Sequence, residues 1–285
     1  MLKPVFKSAF QIPFQNILSK KLWTPSLLSV KNLCWLDFVD TNYITLVSGK
    51  ISSMTDKSSN ARVFSQATAG NRPTYGTNGA TFLRTLDYLV HEGAFFSTNA
   101  GGFRIFATVI NESEASGSDG VLISESNFTA DSRPYFNPII KRIDDGTLRN
   151  RIAGLYRNNT GGSFILTQTN TRSNVPSLSL TEYNLISVQD TQSVYRNFTN
   201  TVQSAETSYT RTGAITPTNR TVIGALLSST GFGTTGGWII KDILVTSNDL
   251  TADELDAVNG YMAWNANIQT KLPSNHPYRY SPPYV

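Results

Sequence analysis

From Leu33 onward the chain is a succession of short runs in which apolar and polar residues alternate. Turn-forming clusters, rather than helices, separate these runs. The alternation is clearest in Phe103–Ile110 (FRIFATVI), Tyr183–Val188 (YNLISV), Ser193–Phe198 (SVYRNF) and Trp238–Val245 (WIIKDILV). It recurs in Thr147–Tyr156, Ser163–Thr167 and Thr221–Leu226. A period of two residues places successive side chains on opposite faces of a strand, so each run predicts a strand with one face in a core. Between them lie TAGNRPTYGTNG, ESEASGSDG, RNNTGG and SSTGFGTTGG, rich in the residues that reverse a backbone. Parallel neighbours need long crossovers, usually helical, and none separates these runs. The pattern therefore predicts an all-β fold, an antiparallel two-sheet sandwich.

One helix is legible, and it comes last. Leu250–Ile268 reads LTADELDAVNGYMAWNANI. Thr251 has the chemistry of an N-cap and Glu254 stands three residues on, the spacing of a capping box. Asp253, Glu254 and Asp256 suit the positive end of the helix dipole. Leu255, Val258, Met262 and Ile268, with Tyr261 and Trp264 beside them, make an apolar face at helical spacing, which predicts packing against a sheet. Gly260 is a weak point within it.

The other end has a different character. Lys3, Lys7, Lys20, Lys21 and Lys31 all precede the first acid, Asp37. Phe6, Phe10, Phe14, Leu18 and Leu22 recur at every fourth position, a helical stripe that Pro4 and Pro13 interrupt. Residues 1–32 thus read as a basic, apolar arm. Its candidate partner contacts are Phe6, Lys7, Phe10, Phe14, Lys20, Lys21 and Trp23. Two readings stand side by side: the arm orders on another subunit, or it folds back on its own domain.

Composition narrows the function classes. Charged residues make up 15% of the chain, against about a quarter in an ordinary globular domain. Ser, Thr, Asn and Gly replace them, giving a neutral, hydrogen-bonding surface suited to packing among copies or neighbours. The net charge of +4 is scattered singly beyond the arm, which argues against nucleic acid as a partner. Cys34 is the single cysteine, so no intrachain disulfide or cysteine-based zinc site is expected, and its apolar run LCWLDF predicts a buried thiol. No run of about twenty apolar residues predicts a membrane span. The apolar start is broken by Gln11, Pro13 and Gln15, unlike a signal peptide.

Several segments together carry a resemblance. LCWLDFVDTNYITLVSGKISSMTDKSSNARVFSQATAGNRPTY resembles the opening of the concanavalin A-like, LamG-like jelly-roll domains of bacteriophage structural proteins and some bacterial surface proteins. The residues that fit are Trp35, Leu36, Asp37, Asp56, Lys57, Ser58, Asn60, Gln66, Ala67, Thr68, Arg72, Pro73 and Tyr75. Met54 stands where that family has tryptophan, and Ser59 where it has glycine. FLRTLDYL keeps Phe82, Asp87, Tyr88 and Leu89 of an acidic strand motif but has Leu83, Arg84 and Leu86 in place of its glycine and two acids. VYRNF and RTVIGA resemble its hairpin and following strand. The end matches through Gly260, Tyr261, Ala263, Trp264, Leu272, Pro273, His276, Pro277, Tyr278, Pro282 and Pro283.

The resemblance covers Leu33–Val285 and implies a single LamG-like sandwich domain over 33–285. Helix 250–268 would cover a face or edge of it, and residues 272–285 would form a proline-stiffened strap running back across it. Proline limits the unfolded chain's freedom, so such a tail loses little entropy on docking. His276, between Asn275 and Pro277, is then expected to be a hydrogen-bonded wedge. For function the resemblance is permissive, because sandwiches of this kind host lectins, hydrolases and inert modules alike.

The residues offer little assembled chemistry. Sugar hydrolysis needs two carboxylates facing one another. Glu112 with Glu114 lies in a Ser/Gly-rich turn, and Asp144 with Asp145 precedes Gly146 as in a hairpin. Asp37, Asp56, Asp87 and Asp119 are the acids that could converge on calcium; no other cofactor is implied. Sugar contact would use exposed aromatics near amides and hydroxyls, for which the candidates are Tyr135, Tyr156, Tyr195 and Tyr209, with Phe232 as a further platform. The expectation is a non-enzymatic virion protein, a capsid decoration or minor capsid component anchored by its arm to other virion proteins and to its own copies. The alternative is an adhesin contacting host surface glycans, and a glycoside hydrolase is a weaker third.

Overall fold

The computed structural model of the chain describes residues 20–83, 87–111, 120–126, 135–141, 151–156, 166–168, 178–179, 181–208, 220–228, 231–235 and 237–285. Two antiparallel sheets face one another. The first runs, neighbour to neighbour, through strands Asn32–Asp37, Trp238–Ser247, Phe103–Asn111, Asn184–Asp190, Val194–Thr199 and Val202–Ser208. The second runs from Ile44–Val47 through Lys50–Thr55, Val63–Ser65, Leu89–Glu92, Arg220–Ile223 and Ile123–Ser126. It continues through Tyr135–Lys141 to Arg151–Tyr156 and Leu166–Gln168. A hairpin, Thr74–Gly76 with Gly79–Phe82, joins the two, pairing with Lys50 on one side and with Trp238–Ile240 on the other.

The alternation of the first sheet is visible in what its two faces bury. Cys34, Leu36, Phe103, Ile105, Ile186, Val188, Ile243 and Val245 point into the main core, where they meet Ile51, Met54, Phe64 and Phe96. Their neighbours Trp35, Phe106, Leu185 and Leu244 point the other way, into a second core beneath the C-terminal helix. This sheet is therefore covered on both faces, which is why FRIFATVI and WIIKDILV carry so many apolar residues.

The helix spans Ala252–Asn265, shorter at both ends than the expected 250–268. Thr251 caps it: its hydroxyl accepts from the Glu254 amide (3.2 Å), and the Glu254 carboxylate accepts from the Thr251 amide (2.7 Å). The last turn closes as a Schellman motif. The Asn267 amide donates to the Trp264 carbonyl, and the Ile268 amide to that of Ala263 (2.8 Å). Asn267 takes the left-handed conformation that this turn requires (φ 58°). Residues Ala257 to Ala263 are all buried, so the expected single apolar face is too narrow a description. The sheet lies on one side of the helix and the strap crosses the other. At the crossing, a Cβ on Gly260 would sit 2.6 Å from Cβ of Tyr278. The glycine that looked like a weak point lets the strap lie against the helix. Trp264 fixes the same crossing by donating its indole N–H to the Tyr278 carbonyl (2.7 Å).

From Lys20 onward the arm belongs to this body. Leu22 and Tyr284 form an antiparallel bridge. The Trp23 amide donates to the Pro283 carbonyl (2.9 Å) and the Val285 amide to that of Lys21 (2.8 Å). Trp23 packs edge-on against Tyr261, with ring centroids 6.1 Å apart, and Trp35 approaches the same tyrosine at 5.8 Å. A 3₁₀ segment, Pro25–Lys31, follows and buries Leu28. Trp23, expected to face a partner, is thus a core residue, because an indole beside a tyrosine ring buries more area there than at a surface. Lys20 and Lys21 are exposed, whereas Phe6, Lys7, Phe10 and Phe14 lie outside the described residues. Leu22 is in extended backbone, off any helical stripe. Among the described residues, no helix is long and apolar enough to cross a membrane.

Candidate functional site

A groove of about 390 Å³ opens on the helix-covered side of the first sheet. Its floor is Ile110 and Ile239, which are cross-strand partners. One wall is Asn78, in the two-residue turn of the joining hairpin, together with Thr181, Glu182 and Tyr183 leading into the strand Asn184–Asp190. The other wall is the chain that leaves the helix: Ala266, Asn267, Ile268, Thr270 and Lys271. Gly79 allows the hairpin to close here, since its φ of +138° and the Ile240 carbonyl, 2.5 Å from any Cβ it might carry, leave no room for a side chain.

Tyr183 organises the groove. Its hydroxyl donates to the Asn78 carbonyl, and burial with the nearby Asp242 pushes that hydroxyl up to about 12, so it stays a neutral donor. Its own carbonyl accepts from the Lys271 ammonium (2.6 Å), which also pairs with Glu182 (3.1 Å). The Lys241 ammonium lies 5.8 Å from the centre of the Tyr183 ring. Exposed Asn267 adds an amide to the rim, and Thr181 and Thr270 add hydroxyls. The groove therefore has an apolar floor, a half-buried aromatic ring, and amide, hydroxyl and ammonium groups along its edges. That set can hold a small polyhydroxylated ligand, with hydrogen bonds at its rim and ring contact below.

A second hollow, about 370 Å³, lies between arm and strap and is lined by Leu22, Thr24, Tyr261, Trp264, Asn265, Pro282 and Pro283. Two of its polar side chains already serve the fold. The Trp264 indole is bound to Tyr278, and the Asn265 amide donates to Asp242 (2.7 Å).

The buried acids also have structural partners. Glu125, fully buried, accepts from the amides of Phe95 (2.7 Å), Phe96 (3.1 Å) and Ser97 (2.8 Å) and from the Thr221 hydroxyl (2.8 Å). Burial nonetheless pushes its acidity towards the neutral form. Asp56 accepts from the amides of Trp35, Ser58 and Arg62. Asp87 accepts from the Leu83 amide. Asp37 binds the Lys57 ammonium (2.9 Å), which also reaches Asp40 (2.8 Å). These are three of the four acids considered for calcium, and they are engaged separately; Asp119 lies outside the described residues. Among the described residues, no group of three His, Cys, Asp or Glu side chains is placed to hold a metal ion.

Asp242 is different. It stands opposite Asp37 across the strand pair and is fully buried. One oxygen accepts from Thr108 (3.3 Å) and Asn265 (2.7 Å), and the other has no partner. Burial first, and Asp37 second, push its carboxyl up to about 7.

The remaining expected residues fall as follows. Tyr195 is 3% exposed and packs in the main core. This corrects its place among the sugar platforms: its position in SVYRNF faces inward, and no ring face is left for a ligand. The side chains of Tyr135, Tyr156 and Phe232 lie outside the described residues, as do Tyr209, Glu112, Glu114, Asp144 and Asp145. His276 has a side chain 6% exposed. Its Nδ1 accepts from the Tyr278 amide (3.2 Å), Nε2 lies 3.6 Å from Asp256, and burial holds its pKa below the usual value. Cys34 is a fully buried core residue whose thiol burial pushes well up. The groove residues Asn78, Tyr183, Asn267 and Lys271 were not singled out from sequence as a site, because three separate segments supply them.

No family model and no curated protein matches the chain. Solved structures do. A Trypanosoma rangeli sialidase in complex with sialic acid superposes with a TM-score of 0.56 at 13% identity, covering 83% of this chain and 33% of that one. The likeness is one of fold. The binding domain of botulinum neurotoxin serotype G gives 0.52 at 13% identity, over 80% of this chain and 50% of its own. The binding domain of Paraclostridial Mosquitocidal Protein 1 gives 0.52 at 13% identity, over 81% and 52%. The chain thus spans about a third of the sialidase's length and about half of either binding domain's.

Proposed function

We propose that the chain is a non-enzymatic carbohydrate-recognition module whose site is the Tyr183 groove. The observation that carries this reading is the convergence of a half-buried tyrosine, the Asn267 amide, the Thr181 and Thr270 hydroxyls and the Lys271 ammonium over an apolar floor. The fold shared with a sialidase solved with sialic acid, and with two toxin binding domains, supports it. A binder is favoured over a hydrolase because hydrolysis needs two carboxylates flanking one bond, and Glu182, the acid among the groove's lining residues, is paired with Lys271. The test is binding to an immobilised glycan panel. The wild type should retain at least one class of glycan, and Tyr183→Ala and Asn267→Ala should each weaken that binding roughly tenfold or more, the size of one lost ring contact or good hydrogen bond. A wild-type protein that retains no glycan at millimolar affinity would sink the reading.

A second reading has its own support. The segment at Lys20 leaves the body beside the C-terminal residues, among exposed Leu22, Tyr284 and Val285. A basic, apolar arm leaving there suits anchoring to another subunit, as the resemblance to bacteriophage structural proteins implies, with the module carried on a virion. A variant lacking residues 1–19 should stay folded and fail to co-sediment with particles. Full retention on particles would remove this reading and leave the first intact.

A further inference from the structure

We propose that the groove selects carboxylated sugars and that Lys241 is the residue that binds the carboxylate. The inference rests on the carbohydrate reading above and adds to it the charge of the ligand.

The argument starts from an irregularity in the strand Trp238–Ser247. Ile240 pairs with Val109 and Asp242 with Thr108, so Lys241 is an extra residue with no opposite number. On the other edge the strand changes partner at the same point. Trp238–Ile240 pair with the joining hairpin, Asp242–Thr246 pair with Asn32–Asp37, and the Lys241 carbonyl takes up the Phe38 amide (2.9 Å). A bulge breaks the two-residue alternation and redirects the side chain it carries. Ile240 and Ile243, three residues apart, both reach the main core, while Lys241 sends its ammonium over the ring of Tyr183, a groove residue.

Charge decides what this ammonium can do. Lys271, on the opposite wall, is already balanced by Glu182 at 3.1 Å. Among the described residues no carboxylate lies within ion-pair distance of the Lys241 ammonium. The nearby Asp242 is fully buried and engaged by Thr108 and Asn265. The Lys241 ammonium therefore stands beside the Tyr183 ring, at the border of the groove, without an ion-pair partner among the described residues. A sugar ring against Tyr183 would bring a ring-borne carboxylate to that charge, where a charge-assisted hydrogen bond forms that a neutral sugar cannot make.

The experiment presents carboxylated glycans, such as glucuronides, each beside its carboxyl-reduced counterpart, to the full chain. The expected result is that at least one carboxylated member binds about tenfold more tightly than its neutral partner, with the preference falling as salt is raised. Lys241→Met should abolish the preference and Lys241→Arg retain it, with melting curves confirming that both variants fold. Equal binding of the two members would overturn the inference and leave the carbohydrate reading standing, as would a preference that survives Lys241→Met. Binding of neither set would overturn both. The wild-type comparison decides the ligand's charge even if a variant fails to fold.

Discussion

Replacing Asp242 by asparagine isolates the effect of one buried charge. In the native protein this carboxyl sits opposite Asp37, is fully buried, and has only one of its two oxygens hydrogen-bonded. Its pKa is pushed up to about 7, against roughly 3.9 for an ordinary aspartate. The folded state therefore holds a proton that the unfolded chain releases between about pH 4 and 7. In that window the folded form binds more protons than the unfolded one, so stability falls as pH rises. A shift of roughly 3 units at about 1.4 kcal/mol each gives an upper figure of about 4 kcal/mol. Asparagine keeps an acceptor for Thr108 and Asn265 and places an N–H₂ where the unpartnered oxygen was. Urea unfolding of both proteins from pH 4 to 8 measures the difference, and other titrating groups largely cancel in it. At pH 4 the variant should be equal to the wild type or slightly less stable. By pH 8 it should have gained about 2–4 kcal/mol relative to the wild type. A difference flat to within about 0.5 kcal/mol across the range would refute the burial argument.

Other perturbations address the remaining supports. Gly260→Ala drives a methyl group into Tyr278, and should cost about 1–3 kcal/mol and make the strap cleavable by proteases before the body unfolds. Glu125→Ala leaves the amides of Phe95, Phe96 and Ser97 without their acceptor, while the Thr221 hydroxyl keeps the Gly93 carbonyl (2.8 Å). The loss should be about 2–4 kcal/mol by denaturant titration, the scale of buried donors left without an acceptor. Thr251→Ala removes half of the capping box, for a loss of about 1 kcal/mol in the same assay.

Much of the architecture was legible because it is local. The Thr251 and Glu254 pair marks the helix start, and alternation marks Phe103–Asn111, Asn184–Asp190 and Trp238–Ser247. The misses come from contacts between distant residues. Gly260 reads as a weakness until Tyr278 is laid over it. Trp23 reads as a partner contact until Tyr261 is found beneath it. Tyr195 looks like any other strand tyrosine, since alternation tells that two faces differ but not which one is inward. The groove draws on residues 78, 110, 181–183, 239 and 266–271, a juxtaposition that the sheet register creates. One signal was present: the adjacent polar pair Lys241–Asp242 inside WIIKDILV cannot fit a strict two-residue period, and it marks the bulge.

The bridge between Lys21–Trp23 and Pro283–Val285 also decides how the protein meets mechanical load. A pull between residue 20 and the C-terminus acts on an antiparallel pair at its open end, so its few hydrogen bonds part in sequence instead of together. The tail then peels from Trp264 before the strands of the two sheets, hydrogen-bonded along their lengths, need part. The molecule thus carries a short yielding element that gives way before the sandwich bears strain.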